Sequence, residues 1–366
     1  GLGKIPKIPG TFGSLATVIL LYLFFHILNL SSNIILVSLI IIFIYSFSAI
    51  AAHIKDSKDK DPKEIIIDEF IGSNPKIKPV KPTDIKTPTE DLSAKSSEFK
   101  PEAVIHFAAL KSPSESIEKP LDYYEANIGG SLALLKVMDV HNCKRIIFSS
   151  SATVYGHSEK LPFKETSATD PVNPYGKSKL MVESMLQDWT KTSKDKIAVA
   201  LRYFNPIGAH ESGLLGEMPN GIPNNLMPYL CNVAAGNLHE LAVFGDDFDT
   251  RDGTGERDYL HVVDLAKAHS ASADYVVSKN GFSTFNVGTG KGTTVLELIQ
   301  AFQNVTGVTV DYKITSRRNG DVDCSMAAVD KIKKEMNWSA SKTVEDMCMD
   351  SWRWQTNISI SNLLKK

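Results

Sequence analysis

A chain of 366 residues has room for two or three folding units at roughly 150 residues each. Its net charge of -2, with 22% charged residues, lacks the cationic excess by which nucleic-acid binders neutralise phosphates, and so excludes that class. The averages conceal two compositions: residues 8–54 hold no Asp, Glu, Lys or Arg, whereas every Arg lies at or beyond Arg145. Cys143, Cys231, Cys324 and Cys348 are scattered without CxxC or His-paired zinc spacing. They read as buried or idle thiols of a reducing compartment.

Residues 13–30 and 33–52 are apolar runs, each close to the roughly 20 residues needed to cross a bilayer core. Only Ser31-Ser32 separates them, which predicts a transmembrane helical hairpin. Lys4 and Lys7 precede it, and Lys55, Lys58, Lys60 and Lys63 follow it. Both basic ends then face the cytoplasm, placing the chain at the inner (cytoplasmic) membrane. Residues 75–98 are rich in Pro, Lys, Thr and Ser, and read as a linker closing with a short helix from Thr89.

From Phe99 the pattern alternates. Strands are expected at Ala103–Ala108, Arg145–Ser150 and Ile197–Phe204, with helices near 114–139 and 176–192. That order predicts an α/β fold around a doubly wound parallel sheet covered on both faces. The organisation expected is a membrane hairpin unit (1–74), the linker (75–98), a nucleotide-binding type of sheet (99–204), a mainly substrate-binding region (205–357) and a tail (358–366). GTGKGTTVLELI (288–299) fits neither GxGxxG nor a complete phosphate loop. Thr294 and Glu297 make a capping box, so this stretch reads as a strand–turn–helix junction.

The chemistry concentrates in IIFSSSATVYG (146–156) and NPYGKSK (173–179). Tyr175 and Lys179 stand four apart at a helix start and share a face. A nearby ammonium stabilises phenolate and lowers the phenol's pKa toward that of a working base. Ser151, just past a strand end, can hydrogen-bond the same substrate hydroxyl. Spacing alone leaves two readings open, a catalytic pair or an ordinary i,i+4 surface contact.

VIHFAALKSPSESIEKPLDYYEANIGGSLALL, FSSSATVYG, PYGKSKLMVE, LRYFNPIGAH, GIPNNLMPYL, DGTGERDYLHVVDLA and RRNGD follow one another from about Phe99 to Asn357. In that order they resemble the signatures of the UDP-glucose 4-epimerase family, extended short-chain dehydrogenases/reductases of galactose metabolism. The resemblance implies an isomerase that oxidises the sugar C4 transiently with NAD, turns the 4-keto sugar about its link to UDP and returns hydride to the opposite face. It implies Tyr175 as the base, Lys179 as its tuning residue and ribose contact, and Ser151 as the assisting hydroxyl. It further implies Phe107, Ala108, Ala109, Lys111, Asn127, Ser149, Ser150 and Tyr203 around the cofactor. For UDP-glucose or UDP-galactose it implies Asn205, Asn225, Leu226, Phe244, Arg257, Arg318 and Asp321. Ser325 stands where a bulky Tyr of the family excludes N-acetylated sugars, so its small side chain implies that UDP-N-acetylhexosamines are admitted. A homodimer is also implied.

No GxxGxxG turn lies upstream of Phe99. The Rossmann-like sheet is therefore expected to be incomplete, with the strand at 103–108 lacking its usual neighbour. GLGKIPKIPGTFGSL and EIIIDEFIG instead resemble the amino-terminal signatures of phosphatidylglycerophosphatase A over residues 1–77. That family is a magnesium-dependent membrane lipid phosphatase, and the resemblance points to Asp68 and Glu69 as ligands for a hard cation. Its later DxxKPxP motif is absent. Two alternatives thus stand beside the epimerase: a phosphatidylglycerophosphate phosphatase of phospholipid synthesis, and an inactive fusion of two fragments.

Overall fold

The computed structural model describes residues 101–363 apart from 158–160, 220, 222 and 319–320. The hairpin at 13–52, the linker with its helix from Thr89, and Asp68 and Glu69 lie outside the described residues. Among the described residues no helix is long and apolar enough to cross a membrane.

In chain order the elements begin with β1 (Val104–His106), α1 (Pro113–Glu118), α2 (Pro120–Tyr124), a π-helical turn over Glu125–Gly129 and α3 (Gly130–Val140). Next come β2 (Arg145–Ser151), a 3-10 turn over Ala152–Tyr155, α4 (Pro174–Lys191), β3 (Ile197–Tyr203) and β4 (Asn205–Ile207). They continue with α5 (Leu226–Ala234), β5 (Leu241–Phe244), β6 (Glu256–Arg257), β7 (Tyr259–His261), α6 (Val262–Ser278) and β8 (Gly281–Val287). The last are β9 (Thr293–Thr294), α7 (Val295–Thr306), β10 (Tyr312–Thr315), β11 (Cys324–Ser325), α8 (Asp330–Met336) and α9 (Val344–Leu363).

A Rossmann-like parallel sheet of order β1-β2-β3-β8 forms the centre. Successive strand residues face opposite sides, and the two cores follow that alternation. Ile146, Phe148, Ala198 and Ala200 pack with Leu134, Leu135 and Met138 of α3 and Val182, Leu186 and Trp189 of α4. Ile147, Val199, Leu201, Phe285 and Val287 pack on the other side with Leu265, Ala268 and Val276 of α6 and Ile332 of α8. Burial on both faces explains why these strands read as continuous apolar runs. The chain beyond Asn205 therefore returns to the sheet through α6, β8 and α8. Between those returns it builds a second core in which α5, β5, α7 and α9 meet.

Several boundaries differ from the sequence expectation. The strand expected at Ala103–Ala108 shortens to β1, and the chain then loops across the strand ends. β2 runs one residue longer, to Ser151, and β3 one shorter, to Tyr203. The single helix expected near 114–139 is divided into α1, α2, the π-helical turn and α3. Pro120 cannot donate its N–H to a continuing helix, so it starts a new one. Residues 358–363 continue α9 instead of forming a separate tail. The GTGKG stretch is the junction expected, with the Thr294–Glu297 capping box opening α7. Among the described residues β1 is paired on one side only.

Candidate active site

The site lies where β2, β3 and the start of α4 converge. Asn173 caps α4 by accepting from the Gly176 N–H at 2.8 Å, and Pro174 fills its first turn. This seats Tyr175 in the second helical position and Lys179 one turn on, both buried. The Lys179 Nζ lies 5.7 Å from the Tyr175 ring centroid and donates to the Ser149 carbonyl at 2.8 Å. The Ser151 hydroxyl is near enough to the Tyr175 phenol to favour its ionised form. It also accepts from Thr153 N at 3.2 Å and Thr153 Oγ1 at 2.9 Å, which fixes the first turn after β2. Tyr175, Lys179 and Ser151 are thus brought together, and the pair is no surface contact.

Electrostatics here are governed by exclusion of water. Burial lowers Lys179 to about 7, against a smaller upward pull from Glu183. Burial likewise raises Tyr175, as does neighbouring Tyr203, while the nearby Ser151 hydroxyl works the other way. The sequence had suggested a phenol depressed by its lysine. Burial sets the direction instead, because the phenol has lost its water.

Around this pair the expected cofactor residues divide. The Ser149 hydroxyl donates to the Tyr203 phenol at 2.9 Å. Buried Asn127 clamps the loop after β1, donating to the Leu110 carbonyl at 3.1 Å and accepting from Leu110 N at 2.7 Å, and it reaches Ser178 at 2.9 Å. Phe107 packs on His269 with ring centroids 4.6 Å apart. Ala108 and Ala109 lie on the same half-buried loop, and Lys111 beyond it is exposed and pairs with Glu217 at 3.3 Å. Ser150 is the exception. Its side chain points to the opposite face and donates to Glu183 at 2.6 Å, as the strand's two-residue alternation requires.

Of the residues expected at the nucleotide sugar, two groups meet in the structure, Phe244 with Arg318 and Asp321, and Ser325 with Arg257. The Arg318 guanidinium stacks 4.7 Å over Phe244, which is exposed at the end of β5, and pairs with Asp321 at 3.0 Å. Ser325 lies beside Arg257 in the β11–β6 pairing. Both arginines act electrostatically on buried Tyr259, which places both in its neighbourhood. Asn205 is exposed at the start of β4, and Asn225 caps α5, whose first residue is Leu226.

Sequence reading missed the buried scaffold. Asp258 accepts from Thr289 N, Thr289 Oγ1, Gly290 N and Ala327 N at 2.6–3.2 Å, locking the GTGKG turn. A Cβ on Gly288 would lie 2.6 Å from the Asp258 carboxylate, which is why that turn needs glycine there. The other missed element is a buried ion pair between Glu183 and Arg202. A signal for it exists, since Glu183 continues the Tyr175–Lys179 spacing by one more turn between the apolar Val182 and Leu186.

Lys179 carries three donors, and among the described residues its hydrogen bond is to the Ser149 carbonyl. Two N–H groups of a buried ammonium therefore lack a protein acceptor, which fits a ribose diol. The residues present fit the nicotinamide-ribose end of a dinucleotide. Among the described residues no Gly-rich turn is present for its pyrophosphate. None of them forms a cluster suited to a metal ion.

The family model described as GDP-mannose 4,6 dehydratase matches residues 79–351. The model for phosphatidylglycerophosphatase A matches residues 1–79. The chain is 49% identical over 256 residues to UDP-glucose 4-epimerase of Bacillus subtilis, covering 70% of this chain and 76% of that one. The structure of UDP-glucose-4-epimerase from Stenotrophomonas maltophila, with bound NAD and formylated UDP-arabinopyranose, superposes with a TM-score of 0.74 at 47% identity, over 76% of this chain and 82% of that one. The enzyme from Bifidobacterium longum, in complex with NAD+ and UDP, gives 0.72 at 49% identity over 75% and 82%. The chain belongs to the UDP-glucose 4-epimerase family of the extended short-chain dehydrogenases/reductases.

Proposed function

We propose that the chain interconverts UDP-glucose and UDP-galactose, with Tyr175 as acid/base, Lys179 and Ser151 as its partners, and NAD as cofactor. The observation that carries this reading is the convergence of a phenol, an ammonium and a serine hydroxyl on one water-excluded spot at the strand ends. When bound, the oxidised nicotinamide supplies a hydride acceptor and a positive charge. The Tyr175 oxygen takes the proton of the sugar 4-hydroxyl, and Ser151 holds that oxygen in line. Lys179 orients the ribose and offsets the charge developing on the phenol. Tyr203 and Asn127 hold the walls of the pocket.

Arg257, Arg318, Asp321 and Phe244 are assigned to the UDP moiety. Guanidinium groups suit pyrophosphate, a carboxylate suits ribose hydroxyls and an aromatic face suits uracil. A firm grip there lets the ketone turn without escaping. Small Ser325 next to Arg257 supports acceptance of UDP-N-acetylhexosamines as well. The exposed apolar side chains Leu121, Leu132 and Met181, on neighbouring helices, support a homodimer.

Conversion of UDP-galactose by the purified chain with added NAD tests the reading. Tyr175→Phe should lower turnover by about 10²–10⁴-fold, the usual contribution of a positioned acid/base. Turnover unchanged in that variant contradicts the assignment. The match of residues 1–79 to phosphatidylglycerophosphatase A favours a second property. Residues 13–52 would hold the chain on the cytoplasmic membrane, and Asp68 and Glu69 would serve a magnesium site. Membrane fractionation, and magnesium-dependent release of lipid phosphate compared with Asp68→Ala, test it.

A further inference from the structure

The Glu183–Arg202 ion pair is buried directly behind the catalytic strand end, yet the chemistry proposed for the site makes no use of it. Glu183 lies one helical turn beyond Lys179 on α4. Its carboxylate is gripped by Arg202 of β3 through Nη2 at 2.6 Å and Nε at 3.0 Å. The Oε1 oxygen, which takes the Arg202 Nε bond, also accepts from the Ser150 hydroxyl of β2 at 2.6 Å. Ser150 sits between Ser149, whose carbonyl accepts a hydrogen bond from Lys179, and Ser151, whose hydroxyl lies near Tyr175. Three elements of the site are therefore pinned to one carboxylate. Arg202 also reaches the Tyr155 phenol at 3.1 Å and the Glu165 carbonyl at 3.3 Å, and Tyr155 in turn donates to Asn286 of β8 at 2.6 Å.

A buried ion pair is weak evidence for stability, because desolvating two charges offsets most of their attraction. Its position suggests a different role. Resting on the assignment of Tyr175 and Lys179 as the reacting pair, we propose that Glu183 is a positioning residue. Through Ser150 it fixes the end of β2, and its carboxylate supplies the counter-charge to the Lys179 ammonium. The other titratable groups facing Lys179 are buried, neutral His106 from β1, Tyr175 on its own helix and Tyr203 from β3. His106 lowers the lysine's affinity for protons if it is charged, and burial holds it near 3, so it carries no charge at neutral pH. Glu183 is the charge that acts upward on Lys179. Arg202 holds that carboxylate in place from the far side.

The test is a titration of the Lys179 Cε chemical shift by NMR in the full-length chain, assigned by its loss in Lys179→Met. The wild-type midpoint should lie near 7. Glu183→Gln should lower it by about one pH unit, the smaller end of the shift an opposite charge produces. Glu183→Asp, which keeps the charge, should restore it. If Glu183→Gln unfolds because Arg202 is left buried without a partner, the double variant Glu183→Gln with Arg202→Gln should still lower the midpoint, by less than the single variant, because losing the Arg202 cation offsets part of the loss of the carboxylate. An unchanged midpoint in a variant that melts like wild type overturns the proposal, as does an equal shift in the Asp and Gln variants. The titration is read without substrate, so its outcome is separable from the presence or absence of epimerase turnover.

Discussion

Lys179 shows at single-residue scale how one buried group couples chemistry to stability. Its titration falls from 10.5 to about 7 on folding. Between those values the unfolded chain binds more protons than the folded one, so this residue makes stability rise with pH. The penalty is fully present below about 7 and relieved as pH approaches 10.5. Denaturant unfolding of wild type and Lys179→Met should therefore converge by about 2 kcal/mol between pH 7 and pH 9. Parallel curves would show that Lys179 keeps an ordinary protonation equilibrium. The Tyr175–Lys179 pair was visible in the sequence as a spacing, but its burial was not, since burial depends on α4 packing against a sheet built from distant segments. The direction of the Ser150 side chain is illegible in the sequence for a similar reason. Three consecutive serines look equivalent in the sequence until the pleat sends the middle one to Glu183.

At the scale of elements, the strands and α4 were legible because their apolar runs are buried on both faces. The division of 114–139 was not, although Pro113 and Pro120 mark both helix starts. The turn after β2 carries a sharper constraint. Ser151 opens it and Gly156 closes it at φ +63°, where a Cβ would lie 1.8 Å from the Asp170 carbonyl oxygen. Gly156→Ala should destabilise the chain by more than about 2 kcal/mol, combining left-handed backbone strain with a clash against main chain. Because the same turn holds Ser151, turnover should fall along with the denaturation midpoint. A variant as stable and active as wild type would mean that the turn can shift without moving the site.

For the whole molecule, the second core and the short sheets beside it show why the latter half of the chain is hard to read. α6, β8 and α8 return to the central sheet, while the intervening segments build β5–β10 and β11–β6–β9. No local periodicity records that exchange, whereas the buried carboxylate of Asp258 holds it together through four hydrogen bonds. What the sequence did make plain is the lack of a Gly-rich turn upstream of Phe99, and among the described residues β1 ends the sheet on that side. Activity accordingly depends on whether the site around Tyr175 and Lys179 retains a dinucleotide. The direct measurement is the amount of NAD and NADH released on denaturing the chain purified after incubation with NAD. About one dinucleotide per chain, lost in Lys179→Met, is the expected result. A folded chain that retains none at any NAD concentration would contradict it.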